Sequence, residues 1–166
     1  MFSSSLLALA RVVLAEARSN NLRIATAESC TGGLVAACLT EIEGSSDILD
    51  RGFVVYSNRA KQDLLNVPGD LIADAGAVSE AVARAMAEGA VENSNAHLAV
   101  AVTGIAGPTG GSDGKPVGTV WLALAHDGRV LRVWQEHFGG DRHAVRGATV
   151  RAALNALCEA VEDRDA

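Results

Sequence analysis

The run HLAVAVT, residues 97–103, most constrains what this chain can fold into. It is almost wholly apolar over a strand's length. It lacks the apolar–polar alternation of a strand with one wet face, so it suits a strand covered on both faces. Such a strand needs helices above and below it, and the flanking sequence supplies them. Residues 4–19 place Leu6, Leu7, Ala10, Val13, Leu14 and Ala17 at helical spacing. LRIATA (22–27) is a short β-type run, and LVAACLTEI after Gly32 and Gly33 reads as a second helix. GFVVYS (52–57) is another strand, followed by a helix NRAKQDLLNV with Asn58 as its N-cap and Pro68-Gly69 as its stop. Ser79 caps EAVARAMAEGAVEN, which leads into the central strand. TVWLALA and RVLRVWQEHF flank HDG, where Asp127-Gly128 is a tight hairpin dipeptide. The last helix begins near Asp141, buries the face of Val145, Ala148, Ala152, Ala156, Leu157 and Val161, and ends in a solvated charged tail. The expected architecture is a three-layer α/β/α sandwich with a mixed, mostly parallel sheet of about five strands. At 166 residues it forms a single domain, 1–166, burying roughly 70% of its unfolded surface.

Charge and cysteine usage exclude several classes of function. The net charge is −6 and no lysine or arginine cluster occurs, which argues against a nucleic-acid partner. The apolar N-terminal start is interrupted at helical spacing by Arg11, Glu16 and Arg18 and has no basic segment before it. It reads as an amphipathic helix of a cytoplasmic protein, not as a leader or membrane segment. Cys30, Cys38 and Cys158 form an odd, scattered set without C-x-x-C spacing, so reduced thiols are expected. His97, His126, His137 and His143 lie in unrelated contexts, and no metal is expected.

In layered α/β domains, ligands collect where strand ends lead into helix N-termini. Three segments fall there. Glu28-Ser29-Cys30-Thr31-Gly32-Gly33 could rest an anion or oxyanion against the following helix, or Thr31 could simply cap that helix. Tyr56-Ser57-Asn58-Arg59-Ala60-Lys61 puts Lys61 at N3, where the helix dipole disfavours a cation by a few tenths to about 1 kcal/mol. That placement, and any desolvation, lowers a lysine's pKa towards that of a general base. Ser29 and Lys61 then form a serine–lysine pair with the Tyr56 hydroxyl relaying the proton, or Lys61 is an ordinary surface lysine. The loop 104–118 holds six glycines and two prolines, with Thr103 at its root and Lys115 as its one cation. It matches neither G-x-G-x-x-G nor a P-loop, and suits a phosphate or closure over a small ligand. Cys30 competes with Ser29 as nucleophile, but no nearby histidine activates it. Arg142 and Arg146, beside GGDR, offer charge to a phosphate or lie on a solvated helix face.

Taken together, TAESCTGG, GSSDILDRGFVVYSNRAKQDLLNV, GAVSE, VTGIAGPTGGSDGKPVGTVW and GDR resemble the CinA C-terminal domain family over residues 5–160. The resemblance implies a nicotinamide mononucleotide deamidase, which hydrolyses the carboxamide to nicotinate mononucleotide and ammonia without metal or organic cofactor. It also implies an α/β/α fold and a homo-oligomer, often a dimer. Carried onto this sequence, it makes Ser29 the nucleophile with Tyr56 and Lys61 as its activating pair. Glu28, Thr31, Gly32, Gly33, Thr103, Gly104 and Arg142 are expected to bind substrate, with the oxyanion on the Thr31-Gly32-Gly33 turn. Many family members carry a larger N-terminal nucleotide-hydrolysing domain, for which these residues leave no room. Two other functions fit the same features: a non-catalytic nucleotide-binding regulatory module, which would have no use for Lys61 at a disfavoured position, and an amidohydrolase of another small amide.

Overall fold

The computed structural model describes residues 2–162, so most of the expected charged tail, 163–166, lies outside the described residues. In chain order the elements are α1 (Ser4–Ser19), β1 (Ile24–Glu28), α2 (Leu34–Thr40), β2 (Leu49–Val54), α3 (Asn58–Leu65), α4 (Gly69–Ala75), α5 (Glu80–Glu92), β3 (Leu98–Gly104), β4 (Thr119–His126), β5 (Arg129–His137) and α6 (Arg142–Glu162). They build one five-stranded sheet in the order β2-β1-β3-β4-β5. β1 runs parallel to both β2 and β3, while β4 and β5 add antiparallel at the far edge. The mixed α/β/α architecture is therefore the expected one.

β3 is covered on both faces, and its side chains alternate in size. Leu98, Val100 and Val102 join Ile24, Val120, Leu122 and Leu124 in one core with α1, α2 and α6. Ala99 and Ala101 join Ala25, Ala27, Ala123 and Ala125 in a second core under α3, α4 and α5. The small methyl face lets α5 lie close on the sheet, and the bulk on that side comes from the helix itself, through Val82 and Met86. Each fully buried Leu or Val on the other face contributes about 1.5–3 kcal/mol relative to exposure. Among the described residues, no helix is long and apolar enough to cross a membrane.

The hairpin forms as read, with Asp127 at φ 48° and Gly128 at φ 77°, the left-handed pair that matches strand twist. Three local readings need correction. β2 ends at Val54, so Tyr56 and Ser57 leave the sheet. The N-cap of α3 is Ser57, whose hydroxyl accepts from the Ala60 N–H at 3.0 Å, so Asn58 is already helical. Pro68-Gly69 starts α4 and does not end α3, which stops at Leu65 with Asn66 in the left-handed conformation. The residues that end one helix and start the next are the same turn-forming types, and sequence alone does not separate the two roles.

Candidate active site

The carboxyl ends of β2, β1 and β3 lie side by side, and the chain leaves them together. The Ser29 N–H donates to the Val102 carbonyl at 3.0 Å and the Val55 N–H to the Glu28 carbonyl at 2.8 Å, which extends the ladder one residue past each strand. Ser29, Tyr56 and Thr103 thus surround one cleft of about 230 Å³, also lined by Cys30, Asn58, Lys61, Ala77, Val78, Gly104, Ala106 and Arg142. A second hollow of about 470 Å³, lined by Pro108, Val117, Gly140, Asp141 and His143, shares Ala106 and Arg142 with it.

Lys61 is 1% exposed, and its ammonium group reaches three oxygens. Nζ lies 3.0 Å from Ser29 Oγ, 2.9 Å from the Val55 carbonyl and 3.4 Å from the Tyr56 carbonyl. Burial lowers its pKa below the usual lysine range, and the neighbouring Cys30 works weakly against that. With Ser57 as cap, Lys61 sits one residue deeper than N3, where the dipole has begun to fade, so burial dominates the shift. A neutral amine has two N–H groups and one lone pair. When the amine is neutral, the two carbonyls can take its hydrogens and its lone pair faces the Ser29 hydroxyl; when it is protonated, all three oxygens accept from it.

Cys30 has a different environment. It is buried, and loss of solvation pushes its thiol up to about 11, so it stays protonated at neutral pH. The lysine is bonded to the serine and not to the thiol.

Glu28 is buried and is not among the residues that line the cleft. Oε2 accepts from Thr31 Oγ1 (2.6 Å) and from the N–H groups of Gly33 (3.1 Å) and Val35 (3.0 Å). Oε1 accepts from Thr26 Oγ1 (3.1 Å) and the Ala36 N–H (2.9 Å). The carboxylate is thus the resident anion at the start of α2, the place the sequence reading gave to the ligand. Gly32 (φ 60°) and Gly33 (φ 96°) make the turn in left-handed backbone, and a Cβ on Gly33 would press on Val54 at 3.2 Å. The Gly32 N–H is likewise engaged, donating to the Ser29 carbonyl at 3.1 Å.

Other predicted residues take different places as well. The hydroxyl of Tyr56, a residue 59% exposed, accepts from Arg142 Nη2 at 2.8 Å and does not meet Lys61 or Ser29. Arg142 also donates to the Gly107 carbonyl at 2.9 Å, so it spans the mouth from α6 to the glycine-rich loop. Thr103 is buried and donates to the Ala77 carbonyl at 2.8 Å, and Gly104 gives backbone where a Cβ would strike Val120. Lys115 donates to the Ala75 carbonyl at the end of α4 at 2.9 Å, and the loop closes on itself between Ser112 and Lys115, so it is a tethered rim more than an open cradle. Arg146, offered above to a phosphate or to solvent, lies across the nucleophile turn: Nε donates to the Cys30 carbonyl at 3.1 Å and Nη2 to the Thr31 carbonyl at 3.0 Å. Sequence reasoning missed this clamp and the inward role of Glu28. The rule that singled out Lys61, a cation where the dipole disfavours one, also marks Arg142 at the first residue of α6.

Residues 6–161 match the family model described as the CinA C-terminal domain. The chain is 57% identical over 134 residues to a CinA-like protein of Geotalea daltonii, covering 81% of this chain and 32% of that one. It is 47% identical over 152 residues to a CinA-like protein of Akkermansia muciniphila, covering 92% and 37%. It therefore spans about a third of the length of the curated relatives it matches. Among solved structures, a competence/damage inducible protein from Agrobacterium tumefaciens superposes with a TM-score of 0.91 at 47% identity, covering 98% of both chains.

Proposed function

Since the chain belongs to the CinA C-terminal domain family, we propose that it is an amidohydrolase that cleaves the carboxamide of nicotinamide mononucleotide to nicotinate mononucleotide and ammonia. The observation that carries this reading is the buried Lys61 amine 3.0 Å from the Ser29 hydroxyl. A lysine with that burial and that partner is an activating base, and a serine so activated attacks carbonyl carbon. The same reading takes residues 1–166 as one catalytic domain, working in the cytoplasm as a homo-oligomer without metal or organic cofactor.

In the first step Lys61 Nζ accepts the Ser29 proton, the Oγ–C bond forms, and the carbonyl π pair moves onto oxygen. The N–H groups of Ser29, Gly32 and Gly33 are engaged within the protein and Thr31 is fully buried, so we assign the oxyanion to the N–H of Cys30, the turn residue that lines the cleft. One such donor is typically worth about 3–4 kcal/mol of barrier. Collapse breaks the C–N bond, and the leaving nitrogen takes the proton from Lys61 to depart as ammonia. A water, deprotonated by the same amine, then attacks the acyl-serine, and the acid product and the Ser29 hydroxyl are regenerated. Arg142 borders both the Ser29 cleft and the neighbouring hollow, and we assign it to the substrate phosphate. Tyr56 holds that arginine through its hydroxyl and Lys61 through its carbonyl.

Purified protein incubated with nicotinamide mononucleotide should release ammonia, with Ser29→Ala as the blank. A folded wild type that matches its blank overturns the reading. The base form of Lys61 is the active one, so log kcat/KM should rise with pH through the depressed lysine pKa and level off above it. A profile flat across the acid side would remove Lys61 as the base.

A further inference from the structure

Arg146 takes no part in those proton transfers, yet it grips the turn that carries the nucleophile. Its guanidinium donates through Nε to the Cys30 carbonyl and through Nη2 to the Thr31 carbonyl. Among the described residues it forms no ion pair with a carboxylate. A planar fork reaching two successive carbonyls is a geometry that an arginine provides and a lysine does not.

A trans peptide aims its C=O and N–H in opposite directions. The Cys30 carbonyl and the Thr31 N–H belong to one peptide unit, so an arginine holding the carbonyl fixes the N–H on the opposite side. The preceding unit is fixed in the same manner, because the Ser29 carbonyl accepts from the Gly32 N–H at 3.1 Å and the Cys30 N–H points away from that bond. The start of α2 cannot serve the oxyanion, since Glu28 already fills it. The Cys30 N–H, on the turn residue that lines the cleft, therefore depends on what holds the carbonyls on either side of it, the Ser29 carbonyl through Gly32 and the Cys30 carbonyl through Arg146.

We infer that Arg146 is a positioning residue for acyl transfer, holding the Ser29–Gly32 turn so that the Cys30 N–H keeps its aim at the developing oxyanion beside Ser29. The inference rests on the serine acyl-transfer reading above but not on the identity of the amide.

The test measures two reactions of the full chain: deamidation of nicotinamide mononucleotide, and labelling of Ser29 by a fluorophosphonate followed by intact mass. The second also needs an oxyanion site but no particular substrate. Arg146→Ala should lower kcat by about 10²-fold, as expected for a misplaced catalytic donor, while KM changes less than about twofold. The acid limb of the pH profile should keep its midpoint, and labelling should slow in parallel with kcat. Arg146→Lys, which can hold one carbonyl, should fall between, and it serves as the test variant if thermal unfolding shows that the alanine variant does not fold. Wild-type kcat and labelling rate in both variants would overturn the inference and leave the deamidase reading standing, as would a raised KM with unchanged kcat. Labelling that slows in the variants, with no deamidation by the wild type, would retain the inference and remove the substrate assignment. Neither turnover nor labelling of the wild type would overturn both.

Discussion

Lys61→Met is expected to fold, and to lose kcat by about 10²- to 10⁴-fold, the range for removing a positioned general base. Methionine matches the lysine stem in length and apolar character, so the packing around it is kept. Two opposing terms set its stability. The variant is relieved of desolvating an amine that is 1% exposed, but the Val55 and Tyr56 carbonyls lose their donor, at about 1 kcal/mol or more each. The sign of the pH dependence is fixed. Because the folded-state pKa of Lys61 lies below its ordinary 10.5, the unfolded chain binds more protons in the interval between the two values. Wild-type stability from this residue is thus lost as pH falls from 10.5 towards the folded-state pKa, and the methionine variant is spared that loss. Denaturant midpoints measured from pH 10 down to neutral should shift in favour of Lys61→Met. A constant difference would show that the amine is not desolvated, and would undercut its role as base.

Glu28→Ala should be the most damaging single change to the fold near the site. It strands two hydroxyls and three backbone N–H groups that now converge on the carboxylate. Each buried group without a partner costs about 1–3 kcal/mol, though water entering the vacated space repairs part of it. A net loss of about 3–5 kcal/mol is expected, against a total stability of about 5–15 kcal/mol for a domain. The thermal midpoint should drop by roughly 6–20 °C. Glu28→Gln discriminates between charge and hydrogen bonding. Each carboxylate oxygen accepts from at least one backbone N–H, so the amide NH₂ must face such a donor whichever way it is turned. Glutamine should therefore also destabilise, by about 1–3 kcal/mol. An unchanged midpoint in Glu28→Ala would mean that the turn is held by something other than this carboxylate.

The layered fold was legible because β3 and its neighbours carry a pattern that only a doubly covered sheet satisfies. Helix boundaries at Pro68-Gly69 and Ser57 were not, since caps and stops draw on the same residues and the choice is made by hydrogen bonds such as Ser57 to Ala60. At the candidate site, Lys61 was singled out by an N3 position that the Ser57 cap moves one residue deeper; the structure nonetheless brings it to Ser29, and burial rather than the dipole lowers its pKa. Glu28 gave no such signal. Its five donors come from residues 26–36, and nothing in their identities says that a carboxylate turns inward to meet them. Arg146 lies 115 residues from Thr31 in sequence, and the contact arises only from the packing of α6 beside α2. The Tyr56 hydroxyl, expected from its segment and from the family resemblance to relay the proton between Ser29 and Lys61, instead turns outward to Arg142 where the chain bends at the end of β2.

The two carbonyls that hold the Lys61 amine belong to the backbone of Val55 and Tyr56. Substitution at either position changes a side chain and leaves the acceptor in place. The orientation of the base is therefore buffered against loss of those side chains, although Val55 is still constrained as a buried core residue and Tyr56 by the hydroxyl that meets Arg142. Conservation at 55 and 56 would then report those side chains and not the two carbonyls that aim the amine, and a deep mutational scan would do the same.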